Sequence, residues 1–174
     1  RSAWWNAQRI KPDNILSTTE DFLKLYHETP DYEYFKTGLP ELDSKMLGIH
    51  KGAFTVVLAE TGIGKTEFFR YLEYQCLNTT DYTIAFDHGE ETQLRSILGL
   101  FSYYMDKNLT RKELVDEGGY LDSYKDFLEL YTGNERFLQF KIRVDEGVDQ
   151  IVEQVRFMAT AMGVDFIFLE PIQD

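Results

Sequence analysis

Residues 58–69 read LAETGIGKTEFF, and the turn at their centre decides the fold. Gly62 and Gly64 flank Ile63, Lys65 and Thr66 follow, and an apolar run at 53–59 (AFTVVLA) leads in after Lys51-Gly52. Without a Cβ, the two glycines let the backbone turn until consecutive N–H groups face one anion. Residues 67–77 carry a helical pattern, so those groups lie at a helix N-terminus, where peptide dipoles already favour negative charge. Strand, then AETGIGKT, then helix is the arrangement that cradles a polyphosphate. Lys65 is expected at the β- and γ-phosphates and the Thr66 hydroxyl on Mg²⁺. Glu60, Thr61, Gly62, Ile63, Gly64, Lys65 and Thr66 together form the expected nucleotide cradle. The general pattern begins with glycine, where this sequence has Ala59. The competing reading is a glycine-rich turn that caps a helix and binds nothing.

The rest of the chain alternates strand and helix signals. Strands are expected at 82–87, 136–142 and 164–169 (VDFIFL), the last a near-continuous apolar run of the kind buried on both faces in parallel sheets. Helices are expected at 90–107, with Leu94, Ile97, Leu98 and Phe101 on one stripe, and at 120–131, ended by Gly133. Another spans 148–162, with Val148, Ile151, Val152, Val155, Met158 and Met162 on one face, and stops at Gly163. Thr110-Arg111-Lys112-Glu113 has capping-box spacing, and so does Ser17-Thr18-Thr19-Glu20, which opens a short amphipathic helix at 17–28 that Pro30 ends. Residues 1–16 read as a linker, with Trp4-Trp5 a buried anchor in preference to a base-stacking platform. The fold class is α/β, a mostly parallel sheet flanked by helices.

The 174 residues suffice for one compact core, and the 43% apolar content argues against disorder. A net charge of −12 excludes a broad surface for coating duplex nucleic acid, which needs Lys and Arg against phosphates. The single cysteine, Cys76, suits a reducing compartment, and no membrane span or signal peptide is apparent. A cytoplasmic protein is expected, and the sequons at Asn78 and Asn108 are coincidental.

A nucleotide-hydrolysing site also needs a carboxylate near the metal and a group that orients water. Glu170, directly after the apolar strand 166–169, is the metal-side candidate, ahead of Asp165 and Asp174. The tip of the second strand offers Asp87-His88-Gly89-Glu90-Glu91; Glu90 is the expected base, with Asp87, His88 and Glu91 as rivals. Both glutamates would also favour a helix N-terminus through its dipole. His27 and His50 read as structural.

Thr37-Gly38-Leu39-Pro40-Glu41-Leu42-Asp43, then Gly48, Lys51-Gly52 and the phosphate loop, resembles the entry to a RecA-type motor domain. With FDHGEETQL at 86–94 and GVDFIFLEPIQD at 163–174, the chain is similar to the DnaB/Twinkle family of ring-shaped replicative helicases, especially the helicase half of phage primase–helicases. The likeness covers about residues 35–174, and loops that begin with alanine are common in that family. It implies a RecA-like P-loop ATPase over 35–174 and a linker with a subunit-docking helix over 1–34. By position, Lys65 and Thr66 match the nucleotide and metal residues, Glu90 the catalytic glutamate, and Glu170 the second-motif acid, usually aspartate. Gln173 matches a glutamine that senses nucleotide state.

The implied activity is ATP-driven translocation on single-stranded DNA, with 5′–3′ polarity, and duplex unwinding. The implied cofactors are ATP (or another NTP or dNTP) and Mg²⁺. The implied partners are a homo-oligomer, a hexamer, in which helix 17–28 docks on a neighbour and an arginine finger acts in trans, and a possible upstream primase domain. The expectation is of a chain truncated after the second motif, with its DNA-contacting loops beyond Asp174, in a host cytoplasm if phage-encoded. Three other readings stay open: a RecA/RadA-like recombination or clock-type ATPase, a small-molecule kinase, and a nucleotide-binding scaffold without turnover. Kinases usually place this loop near the start and add an Arg-rich lid, neither of which is seen.

Overall fold

The computed structural model describes residues 16–60, 62–89, 91–142 and 147–170. It divides into two units, 1–32 and 33–174. In the first, helix α1 (Thr19–Glu28) is closed by a reciprocal cap one residue later than the sequence spacing suggested. Thr18 Oγ1 accepts from Asp21 N at 3.1 Å, and Asp21 Oδ2 accepts from Thr18 N at 2.9 Å. Phe22, Leu23, Leu25 and Tyr26 leave its apolar stripe exposed within this unit. Trp4 and Trp5 lie outside the described residues.

The second unit is α/β. Its parallel sheet has the order β4-β3-β5, from β3 (Ile84–His88), β4 (Phe137–Gln139) and β5 (Phe166–Glu170). All five β3 residues are buried, as befits a central strand covered on both faces. Ile84, Phe86, Phe166 and Phe168 face a core built with Leu72, Cys76 and Leu77 of α3 (Lys65–Thr79). Leu98, Leu100 and Phe101 of α4 (Gln93–Met105) and Phe127 of α6 (Leu121–Thr132) complete it. On the other face, Ala85 packs with Met158 of α7 (Val148–Ala161) and with Val164. Burial pushes the Cys76 thiol up to about 12, so it acts as a small apolar side chain.

Residues 53–60 overturn one expectation: they form no strand. β5 pairs only with β3 among the described residues, and a strand without a hydrogen-bonded neighbour leaves its backbone groups to water. Phe54 and Leu58 are accordingly 91% and 88% exposed. The 110–113 capping box also fails. α5 (Lys112–Glu117) has Arg111 as its N-cap, with no side-chain cap, and the Thr110 hydroxyl donates to Asn108 Oδ1 at 3.0 Å.

Two features went unread in the sequence. A short antiparallel pair, β1 (Tyr34–Phe35) with β2 (Ile49–His50), sets the Phe35 ring edge-on to Phe166 at 5.0 Å. Between them, α2 (Pro40–Met46) begins with proline in its first turn. Asp43 accepts from Thr37 N at 2.9 Å, Thr37 Oγ1 at 2.7 Å and Gly38 N at 3.1 Å, so TGLPELD closes on itself. Gly38, at φ +78, lies against the Tyr71 hydroxyl, where a Cβ would collide. The motif therefore packs against Tyr71 and Gln75 of α3.

Candidate functional site

The glycines of the opening turn adopt the conformations the sequence demanded. Gly62 has φ +84 and Gly64 φ +97, the left-handed region that side chains with a Cβ rarely enter. A Cβ at either would meet no atom within 4 Å, so the space above the turn is open. Gly64 caps α3, whose first residues are Lys65 and Thr66. Lys65 Nζ donates to the Ala59 carbonyl at 2.9 Å and the Glu60 carbonyl at 3.0 Å, folding its ammonium back across the loop. Ile63 is exposed at the tip, and Thr61 lies outside the described residues.

Glu170 ends β5 at the C-terminal rim of the sheet, where open α/β sheets gather ligands. In-register pairing sets it opposite His88, at the end of β3. The Thr66 side chain lies close enough to its carboxyl to lower its pKa. Burial raises the Glu170 pKa above the ordinary carboxylate value; Thr66 and His88 pull it part of the way back. Glu170 Oε1 is buried with no hydrogen-bond partner. Asp165, at the other end of the strand, accepts from Thr83 N at 2.9 Å and pairs with Lys51, which gives it a structural task.

The rivals for the water-orienting role are each engaged. Asp87 Oδ2 accepts from Ile142 N at 2.8 Å, and its Oδ1 meets Lys141 Nζ at 3.3 Å. His88 Nε2 lies 2.9 Å from Glu73 Oε1, with both side chains at most 1% exposed. Burial alone would depress His88, but the hydrogen bond and charge of Glu73 outweigh it and hold its pKa above the ordinary value. Glu91 pairs with Arg70 and with Arg95, the latter at 3.1 Å. Glu90 itself, and Gln173 and Asp174, lie outside the described residues. His50 Nε2 contacts the Met46 carbonyl at 2.9 Å, while His27 meets the Tyr26 ring edge-on at 5.4 Å.

Sequence reading missed the charges beneath this rim. Arg70 and Glu73 lie three apart on α3 and are buried along with Leu72, Cys76 and Leu77. The signal was available: 70, 73 and 77 fall on one helical stripe, so two charges stood at core positions. Arg70 pairs with Glu67 and Glu91, and its guanidinium crosses Gly99 of α4, where a Cβ would collide with Nε and Cζ.

The donor set suits a phosphate loop with Mg²⁺. An open turn with left-handed glycines, a flexible ammonium, a hydroxyl and one carboxylate oxygen lacking a partner are what such a group requires. Among the described residues, no group of three or more His, Cys, Asp or Glu could hold a metal alone. A phosphate-bound Mg²⁺ needs no such cage, because it takes water and phosphate oxygens. Among the described residues, no helix is long and apolar enough to cross a membrane. No protein-family model matches the chain.

Proposed function

We propose that this chain carries the nucleotide site of a RecA-like P-loop ATPase, and that the ATPase is the motor of a DnaB/Twinkle-type replicative helicase. The supporting observation is the buried, unpartnered Oε1 of Glu170 at the end of a parallel strand, with the Thr66 side chain of the phosphate turn close enough to its carboxyl to lower its pKa. A loop that merely caps a helix has no use for a half-buried carboxylate beside its threonine.

Bound MgATP would supply a phosphoryl group open to in-line attack by water. The N–H groups of the 60–66 turn would bind phosphate oxygens, with Lys65 exchanging its two loop carbonyls for them. Thr66 would hold Mg²⁺ through its hydroxyl, and Glu170 would orient the metal's water through Oε1. Glu90 is the proposed base, in the segment after β3; Gln173 is the proposed sensor. Single-stranded DNA and neighbouring subunits of a ring complete the reading, with α1 as the docking helix.

A scaffold that binds nucleotide without turnover is the second reading. Its support is the glutamate at 170, where the family usually carries aspartate, with a carboxyl that burial biases toward its neutral form. DNA-stimulated ATP hydrolysis and strand displacement on forked substrates separate the two. Lys65→Ala should abolish turnover, and Glu90→Gln should keep nucleotide binding while stopping hydrolysis. Turnover that survives Lys65→Ala would end the proposal, and binding without turnover in the unaltered protein would favour the scaffold.

A further inference from the structure

We infer that Arg70 and Lys141 are positioning residues that clamp Gly89 and Glu91, just past β3, with Arg70 tying Glu91 to the phosphate-loop helix and Lys141 tying both to the stretch after β4. The inference rests on the ATPase reading above and adds to it two residues with no part in the phosphate cradle.

Arg70 has a 2% exposed side chain on α3, one turn after Thr66. It pairs with Glu67 on its own helix and reaches off the helix to Glu91. Glu73, three residues on, meets His88 at 2.9 Å, so successive turns of α3 contact the last residue of β3 and a residue three beyond it. Burial opposes the Arg70 charge, but Glu91 and Glu67 outweigh it and keep the guanidinium fully ionised. Gly99 leaves the room the guanidinium needs.

Lys141 approaches from beyond β4. Its ammonium donates to the Gly89 carbonyl, to the Glu91 carbonyl at 3.3 Å and to Asp87 Oδ1 at 3.3 Å. The backbone adds Gly89 N to the Glu170 carbonyl at 2.9 Å and Glu91 N to the His88 carbonyl at 2.7 Å. Gly89 and Glu91 are therefore each held to a fixed element, one of them directly to Glu170. In sequence they flank position 90, the proposed base. A buried cation whose partners among the described residues are two carboxylates is costly as plain packing, since an apolar side chain of similar volume would fill the same space. Its use lies in fixing register between α3 and the strand tip, where a displacement of about 1 Å slows chemistry by about a hundredfold.

The test uses Arg70→Met, Arg70→Lys and Lys141→Met in the full chain, each checked for a cooperative thermal transition. Two readouts are taken: DNA-stimulated kcat against the MgATP Kd, and amide hydrogen exchange over residues 87–92. The expected result is a kcat at least tenfold lower with Kd within twofold for Lys141→Met and Arg70→Met. Arg70→Lys should recover part of the loss, and the Gly89 and Glu91 amides should exchange at least tenfold faster in the Met variants. Should Arg70→Met not fold, Lys141→Met decides, because its side chain is 38% exposed. Unchanged kcat in a protein that turns over ATP, or unchanged exchange at both amides, overturns the clamp. If the unaltered protein hydrolyses nothing, the ATPase reading fails and exchange alone decides whether the clamp exists.

Discussion

Replacing Glu73 with leucine probes the charge chemistry beneath the site. The change keeps most of the side-chain volume but leaves His88, 1% exposed, without its carboxylate. His88 Nδ1 already lacks a hydrogen-bond partner, so both ring nitrogens would then be unpaired. Removing one member of a buried ionic pair costs about 3–5 kcal/mol. The lower end applies here, about 3 kcal/mol, since the imidazole can shed its proton and become neutral. For a chain of this length, each kcal/mol moves Tm by about 2–4 °C, which predicts a fall of about 6–12 °C.

The pH dependence gives a sharper signature. His88 has a raised folded-state pKa, so its contribution is fully present below the unfolded value of about 6.5 and is lost as pH rises through the folded value. In Glu73→Leu, burial and the nearby Arg70 charge both depress His88, while Glu170, also facing it, opposes them only in part. The contribution then reverses sign: the variant should lose stability as pH falls below about 6.5. Urea denaturation from pH 5 to pH 8 measures both. A loss below about 1 kcal/mol, or a slope matching that of the parent protein, would refute a charged, mutually dependent pair.

Phe127→Ala should cost about 3–5 kcal/mol by chemical denaturation, because the ring is fully buried and meets Phe101, Tyr104, Tyr131 and Phe137. Gly99→Ala should destabilise by about 1–3 kcal/mol, and more than Gly147→Ala, where a Cβ meets nothing. Glu170→Ala should weaken nucleotide binding in Mg²⁺ but much less in EDTA, as titration calorimetry would report. Residues 1–174 alone should bind single-stranded DNA weakly at physiological salt, given the −12 charge; tight binding by fluorescence anisotropy would contradict that charge argument.

Signals confined to a few residues were legible in the sequence. Pro30, Gly133 and Gly163 each mark a helix end, since backbone preference acts where the residue stands. Gly62 and Gly64 declared their left-handed turn in the same way. Three of the four expected strands formed, but residues 53–59 did not, because β-branched composition supplies propensity and not a pairing partner. The β1–β2 pair was illegible for the complementary reason: two residues a side carry no period. In the candidate site, motif singled out Lys65, Thr66 and Glu170, while it gave no sign of the buried charges of Arg70 and Glu73 or of the contacts of Lys141. Their partners lie far along the chain, 54 residues away for Lys141 and Asp87, and a charged residue on a helix reads first as a solvated one.

The central claim is that the turn over residues 59–66 grips a triphosphate. Calorimetric titration of the protein with ATP in Mg²⁺, set beside Lys65→Ala, measures this directly. Saturable binding, weakened at least tenfold in Lys65→Ala and competed by ADP, is the predicted result. No heat in the parent protein, or equal affinity in both, would contradict it.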